Sequence, residues 1–588
     1  MEKDQDNIIG IYPGHDATVV LIRHGKVVEA MSEERLSRCK KHFGFPGLAL
    51  NYVKAKYGLD NSSRVFIAGE DPIDGFLSTL ELNQRLRAES GHRRWLLRAT
   101  LLQFGVTRSL LRMRDAMLLS KKNRGVQSQY ESLLEENFPQ VKKSFINHHE
   151  AHAWASVAFM SRDAKPRLVL TLDGEGDGLS GSISIFEDGK LDVKHRFGAN
   201  QSLGLLYCAV VDILGMKRNE HEFKVMGLAP YAKASSGEKV YQELKEMLWF
   251  NEESMQIETA FDMHEAPAHL IMKELTIRHR FDSVAYGVQK LTEEIIKQIA
   301  KAAISRYGIS DLALGGGVFM NVKANQYLAA LPEVTSIVIT PSCGDESLAI
   351  GAAVYGYAVE NNHDLSGLQT LEALYLGSDY SDEEIGKVIN EYSKSKDWHV
   401  EFFDPKTNPI ERRVAELLAQ NAVVGRFKGR AEWGARALGN RSILANPTSR
   451  DNVKLINEMI KGRDFWMPFA TSMLYERRQD YLNNPRDIYA PHMAITFETT
   501  DLAHKELIAA LHPYDLTSRP QMVKREVNPE YHALISHFEK ITGIGGILNT
   551  SFNLHGEPNV EKPQDALRTF DLSGLPYLAI GNYLCSKK

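Results

Sequence analysis

Two stretches of the chain carry the same pattern. "NIIGIYPGHDATVVLIRHGKVVEAMSEE", from Asn7, runs an apolar strand into a glycine turn and then a hairpin. "RLVLTLDGEGDGLSGSISIFEDGKL", from Arg167, runs an apolar strand into an Asp-Gly turn and then a hairpin. Short apolar runs bounded by glycine turns read as strands. A repeated strand–turn–hairpin unit predicts a duplicated core. The first strand is expected at Ile8–Tyr12, with the hairpin turning across "RHGK" and a helical region over 33–57. "FINHHEAHAWASVAFM" reads as a strand end followed by a helix. "DLALGGGVFMNVKANQYL" and "SIVITPSCGDESLAIGAAVYGYA" each read as strand, loop and helix, the last helix rich in small residues. Strands alternating with helices predict an α/β fold.

A chain of 588 residues is long enough for two or three domains. We expect a first domain over 1–365, a polar and broken linker over 366–410, and a second α/β domain over 411–588. Net charge is −5, which argues against a nucleic-acid partner for the whole surface. The four cysteines are scattered and form no CxxC pair, so neither a disulfide framework nor a cysteine zinc site is expected. The acidic N-terminus is no signal peptide, and no apolar run is long enough to span a membrane. A cytoplasmic protein is the expectation.

"NHHEAHAW" (147–154) places His148 and His152 four apart, so on a helix both rings share one face and can hold one metal ion. The zinc-peptidase motif HExxH fails on register, because the residue four after His149 is Ala153. Asp173 and Asp345 each close an apolar strand in a Gly-rich loop, where ligands gather at one edge of an α/β sheet. Two imidazoles and two carboxylates suit iron, manganese or zinc. Plain turn or cap roles remain the alternative for each Asp. Gly-rich loops at 14–20, 173–182 and 314–321 match neither standard nucleotide pattern, and read either as hairpin turns or as a split nucleotide site. His15 in the first loop could act as a general base or as a turn cap. In the second domain Arg436, Arg441, Lys461, Arg463 and Arg519 are interleaved with glycine and aromatic residues. They read as a lined anion pocket or as a solvated basic face. "LNTSFN" (548–553) adds small polar side chains on a strand.

Taken in order, "GHDATVVLIRHGKVVEAMSEERLSR", "HHEAHAWASVAF", "LDGEGDG", "KVMGLAPY", "GGGVFMN", "GDESLAIGAA", "GRAEWGARALGNRSI", "FWMPFATSML", "SRPQ" and "LNTSFNLHGEP" resemble the NodU/TobZ family of O-carbamoyltransferases over nearly the whole chain. The resemblance implies a duplicated ASKHA (actin-like) N-terminal domain and a YrdC-like C-terminal domain. It implies that carbamoyl phosphate and ATP, with Mg2+, form carbamoyl-adenylate in the second domain. The carbamoyl group then passes in the first domain to a hydroxyl of a small, sugar-bearing acceptor such as an antibiotic, nodulation factor or surface glycan. It further implies His148, His152, Asp173 and Asp345 as ligands of a divalent metal, Fe2+ before Mn2+ or Zn2+. His15 and Lys40 are implied in catalysis, with "RCKKH" open to an alignment shift of one. Gly174, Glu175, Gly316, Gly317 and Asn321 are implied for nucleotide, and Arg436, Arg441, Lys461, Arg463, Arg519, Ser551 and Asn553 for carbamoyl phosphate and ATP. The alternatives are a carbamoyltransferase for a non-sugar natural product and a nucleotide-binding ASKHA scaffold without chemistry. A homodimer is compatible with the sequence.

One segment stands apart. Residues 84–124 carry Lys and Arg from Arg85 to Arg124 against only Glu89 and Asp115, interleaved with leucine, methionine, Trp95 and Phe104. A basic amphipathic insert over about 80–125 packs on the domain or a partner subunit, or makes peripheral membrane contact through 93–119.

Overall fold

The computed structural model describes residues 7–59, 63–69, 132–139, 141, 143–163, 165–260, 266–394 and 396–587. The basic insert and its 93–119 stretch lie outside these residues. Among the described residues, no helix is long and apolar enough to cross a membrane.

The duplication is present as two sheets of one design. The first comprises β1 (Asn7–Tyr12), β2 (Thr18–Arg23), β3 (Lys26–Ser32), β4 (Arg64–Ala68) and β5 (Lys143–Ile146), ordered β3-β2-β1-β4-β5. The second comprises β6 (Arg167–Gly176), β7 (Leu179–Glu187) and β8 (Lys190–Gly198), followed, after a separate β9 (Leu248–Asn251) and β10 (Gln256–Thr259) ribbon, by β11 (Asp311–Gly315) and β12 (Ser336–Ile339). Its order, β12-β11-β6-β7-β8, is the same pattern. In both, the first three strands pair antiparallel and the last two join in parallel. Even the turns match. His24-Gly25 and Asp188-Gly189 close the second hairpin of each sheet with positive φ at both positions. Two-residue hairpin turns of type I′ require that conformation. Every residue of β1 is buried, as expected of a central strand covered on both faces.

Two helices join the halves. His148–Val157 and Leu348–Glu360 pack against each other, and Leu348–Glu360 also packs on β1, through alanine and glycine. The approach is so close that a Cβ on Gly351 would stand 1.8 Å from the Ala151 carbonyl oxygen, and one on Gly10 would stand 2.0 Å from that of Ala349. The small-residue run after Asp345 is therefore a packing requirement. It fixes the Asp345 loop against the helix carrying His148 and His152.

The C-terminal part is an eight-stranded sheet of β13 (Trp398–Phe402), β14 (Val424–Phe427), β15 (Arg441–Ala445), β16 (Ala470–Leu474), β17 (Pro520–Val523), β18 (Gly546–Ser551), β19 (Tyr577–Ile580) and β20 (Tyr583–Lys587). Their order is β13-β20-β19-β14-β15-β18-β16-β17. This corrects the expected 366–410 linker, because β13 is the edge strand of this sheet and a helix, Asp382–Ser393, precedes it. The strand went unread because an edge strand leaves most of its side chains in water, and Phe402 is 53% exposed. The helix did carry a start signal. Ser381 and Glu384 form a capping box, and Ile385 and Ile389 are buried.

Candidate functional site

Asn147 caps the helix that follows it, accepting a hydrogen bond from the His149 backbone N–H. That start turns His148 and His152 to one face and His149 to another. His149 contacts Thr171 Oγ1 at 3.2 Å and the Leu179 carbonyl oxygen at 3.1 Å. Burial, with the neighbouring histidines, pushes its pKa down to about 3. His149 is a neutral core residue.

On the other face four ligand atoms converge. One donor atom each from His148, His152, Asp173 and Asp345 lies within 4.8 Å of all the others, and the four could hold a metal ion. The two Nε2 atoms are 3.1 Å apart, and they lie 3.3 and 3.1 Å from Asp173 Oδ2. Asp345 Oδ1 is 3.8 and 3.7 Å from them. Ligands about 2.1 Å from a shared ion stand roughly 3.0–3.4 Å apart, so the donor set fits a divalent cation. Outer partners orient three of the four ligands. Ser347 Oγ meets His152 Nδ1 at 3.3 Å, the Gly317 N–H donates to Asp173 Oδ1, and the Tyr12 hydroxyl donates to Asp345 Oδ2 at 2.6 Å. Burial opposes the charged forms, but the histidines hold the Asp173 carboxyl well below its ordinary range, and the two aspartates lift His152 to about 9.

His15 stands beside this group. Its Nε2 lies 3.0 Å from Asp345 Oδ2 and its Nδ1 lies 3.2 Å from Asp16 Oδ2. Burial disfavours its charge, but Asp345 and Asp16 together raise it to about 9. The ambiguity in "RCKKH" resolves geometrically. Lys41 Nζ reaches Asp16 Oδ2 at 2.6 Å, whereas Lys40 Nζ pairs with Glu220 at 3.5 Å. The lysine nearest His15 is therefore Lys41, not Lys40.

His15, Asp16, Lys41, His148, Asp173 and Asp345 line a cavity of about 470 Å³, with Gly174, Glu175, Gly317 and Asn321 further along its wall. Gly316 is not on that wall. It sits at φ +93° with its Cα pressed on the backbone of Leu172, where a Cβ would stand 2.3 Å from the Leu172 oxygen. Close packing explains that glycine.

A second cavity, of about 310 Å³, is lined by Arg436, Lys461, Arg463, Arg519, Ser551 and Asn553. Lys461 Nζ donates to Asn553 Oδ1 at 2.7 Å and to Ser551 Oγ at 3.1 Å, and Arg463 donates to Thr550 Oγ1 at 3.0 Å. None of these four cations has a carboxylate in an ion pair among the described residues. Burial first, then the neighbouring cations, pushes Lys461 and Arg519 well below their ordinary values and Arg463 down to about 10. Such a cluster is stabilised by a bound polyanion. The two cavities share a wall that includes Asp16, Lys40, Lys41, Glu346 and Arg436.

Arg441 departs from the expectation. It is fully buried, with its guanidinium over the Phe427 ring at 3.7 Å. It donates to the carbonyl oxygens of Lys428, Gly429, Asn440 and Ser378. It holds loops together and does not line the cavity. Arg441→Ala is expected to destabilise the fold by about 3 kcal/mol, because buried carbonyls lose a charged donor. Denaturant unfolding checks this. Sequence reasoning also missed Tyr12, Asp16 and Glu346. The signal for Asp16 was its place after His15 in a tight turn, where its φ is +65°.

Comparison with known proteins gives a consistent result. The family model described as "Carbamoyltransferase N-terminus" matches residues 7–354, and "Carbamoyltransferase C-terminus" matches residues 415–587. The chain is 30% identical to an uncharacterised protein of Methanocaldococcus jannaschii, covering 99% of both chains. It is 29% identical to the nodulation protein NolNO of Sinorhizobium fredii, covering 98% of this chain and 79% of that one. Among solved structures, HypF of T. kodakarensis aligns over 62% of this chain and 49% of its own, at 11% identity and a TM-score of 0.35, too distant to carry an argument.

Proposed function

Because the chain belongs to the carbamoyltransferase family, we propose that it is an ATP-dependent O-carbamoyltransferase with two linked sites. The observation that carries this reading is the pairing of cavities. One is ringed by Arg436, Lys461, Arg463 and Arg519, the other by His15 and a metal-type donor set, and they share a wall.

Carbamate is a weak electrophile, and adenylation gives it a good leaving group. In the cationic cavity, carbamoyl phosphate and water give carbamate and phosphate. A carbamate oxygen then attacks the α-phosphorus of ATP and pyrophosphate leaves, forming carbamoyl-adenylate. Arginine and lysine fixed before the reaction stabilise the charge that builds on the phosphates without reorganising. The common wall offers the intermediate a short path that keeps bulk water away. In the first cavity an acceptor hydroxyl attacks the carbamoyl carbon, its proton goes to His15, whose imidazole would be neutral once a cation held by Asp345 offset the carboxylate charge that raises it, and AMP leaves. His148, His152, Asp173 and Asp345 would hold a divalent ion, most simply Fe2+, which supplies Lewis acidity for a carbonyl or phosphoryl oxygen. The acceptor class we propose is a sugar-bearing hydroxyl compound, in keeping with the nodulation-protein relative.

The test is pyrophosphate release. The purified protein is expected to release pyrophosphate from ATP only when carbamoyl phosphate is present, as read by labelled pyrophosphate from γ-labelled ATP. No release in its presence, or equal release in its absence, would sink the proposal. A mass screen of hydroxylated compounds for the gain of one carbamoyl group then identifies the acceptor.

A further inference from the structure

Three carboxylates line both cavities: Asp16, Glu220 and Glu346. Two of them are engaged by cations. Asp16 Oδ2 meets Lys41 at 2.6 Å and His15 at 3.2 Å, and Glu220 pairs with Lys40 at 3.5 Å and with Lys217. Glu346 differs. It is only 7% exposed, its Oε1 accepts from the Ser342 hydroxyl, and its Oε2 is buried with no hydrogen-bond partner among the described residues. Leaving a buried acceptor unpaired costs on the order of 1–3 kcal/mol. Ser342 holds φ +51°, and its hydroxyl oxygen also accepts the Ala435 N–H at 2.7 Å. That clasp sets Glu346 beside the loop that carries Arg436.

The chemistry of the transferred group supplies a reason. A carbamoyl group presents a carbonyl oxygen, which accepts, and an –NH2, which donates twice. The cations of the second cavity only donate, so they serve phosphate and carbonyl oxygens and leave the –NH2 unmatched. A buried acceptor on the common wall is what that –NH2 needs. We propose that Glu346 accepts a hydrogen bond from the carbamoyl –NH2 and thereby selects carbamoyl over acyl groups that lack it. The proposal rests on the carbamoyl-adenylate reading above. A site built around a substrate N–H rejects the analogue without it strongly, because the protein's own polar group stays unpaired.

The experiment compares carbamoyl phosphate with acetyl phosphate, which carries –CH3 in place of –NH2, as drivers of pyrophosphate release from ATP. The wild-type protein is expected to prefer carbamoyl phosphate by at least about 100-fold. In Glu346→Leu the preference is expected to fall to within about tenfold, through loss of the carbamoyl rate and gain of the acetyl rate. Glu346→Ala is the second variant should the leucine not fold, with the same expectation, and Glu346→Gln, which keeps an acceptor oxygen, retains most of the preference. A thermal scan establishes folding. An unchanged preference in a folded leucine or alanine variant overturns the assignment of Glu346 and leaves the two-site reading standing. A wild-type protein that uses both phosphates equally also overturns the assignment alone. Release of no pyrophosphate with either overturns both.

Discussion

His15→Ala is expected to reduce carbamoyl transfer by at least about 100-fold, the lower bound for losing a positioned general base. Carbamoyl-phosphate-dependent pyrophosphate release should stay within about threefold of wild type. The separation follows from where the ring lies. His15 lines the first cavity and not the second, and it stands between Asp345 Oδ2 at 3.0 Å and Asp16 Oδ2 at 3.2 Å. Its imidazole can reach a hydroxyl in the first cavity, while the phosphates proposed for the second would be handled by Arg463, Lys461 and Arg519. Of the two carboxylates beside it, Asp345 belongs to the metal-type donor set and Asp16 is already occupied by Lys41 at 2.6 Å. Product is counted by mass with an acceptor from the hydroxyl screen, and pyrophosphate in parallel. A parallel loss of both would mean that adenylation and transfer are not divided between the cavities.

How much of this was legible depends on whether a residue's role is set locally. His148 and His152 could be paired from sequence because a helix fixes the geometry of residues four apart. The exclusion of a zinc-peptidase register was local too. The duplicated sheets were legible because each unit carries its own strand pattern and turn chemistry, down to His24-Gly25 and Asp188-Gly189. Arg441 was not legible. In the sequence it is one more arginine beside glycine, and only tertiary structure reveals that backbone carbonyls of separate loops hold its two terminal nitrogens. Gly316 failed in the same way, since closeness to Leu172 is a contact between distant segments. Lys40 and Lys41 point to different partners, and a neighbouring position in sequence says nothing about which side chain turns inward. The β13 strand was lost because its alternating "WHVEF" is only five residues long, lies among polar neighbours, and pairs with β20, a strand far away in sequence.

Arg436→Ala is expected to stop both reactions, with pyrophosphate release falling by about 100- to 1000-fold, the range seen when one preorganised donor is removed from a charged transition state. Of the four cations Arg436, Lys461, Arg463 and Arg519, Arg436 alone also lines the first cavity. Its side chain has no hydrogen-bond or ion-pair partner among the described residues, in contrast to Arg441. Burial weakens its charge, with Cys343 and Glu346 offsetting part of that, and Arg436 in turn depresses Arg519. Removing it therefore relieves repulsion within the empty cluster, so the variant should melt at or slightly above the wild-type temperature. Loss of activity with undiminished stability distinguishes a ligand-facing arginine from a structural one. Pyrophosphate supplies the complementary reading. A ligand that binds only the folded state raises the melting temperature, so pyrophosphate should stabilise the wild-type protein and have a clearly smaller effect on Arg436→Ala. Arg436→Lys restores the charge without the two-pronged donor geometry and should recover only part of the rate. An Arg436→Ala protein that melts well below wild type, or keeps its pyrophosphate release, would place this arginine among the scaffold residues and remove the link between the cavities.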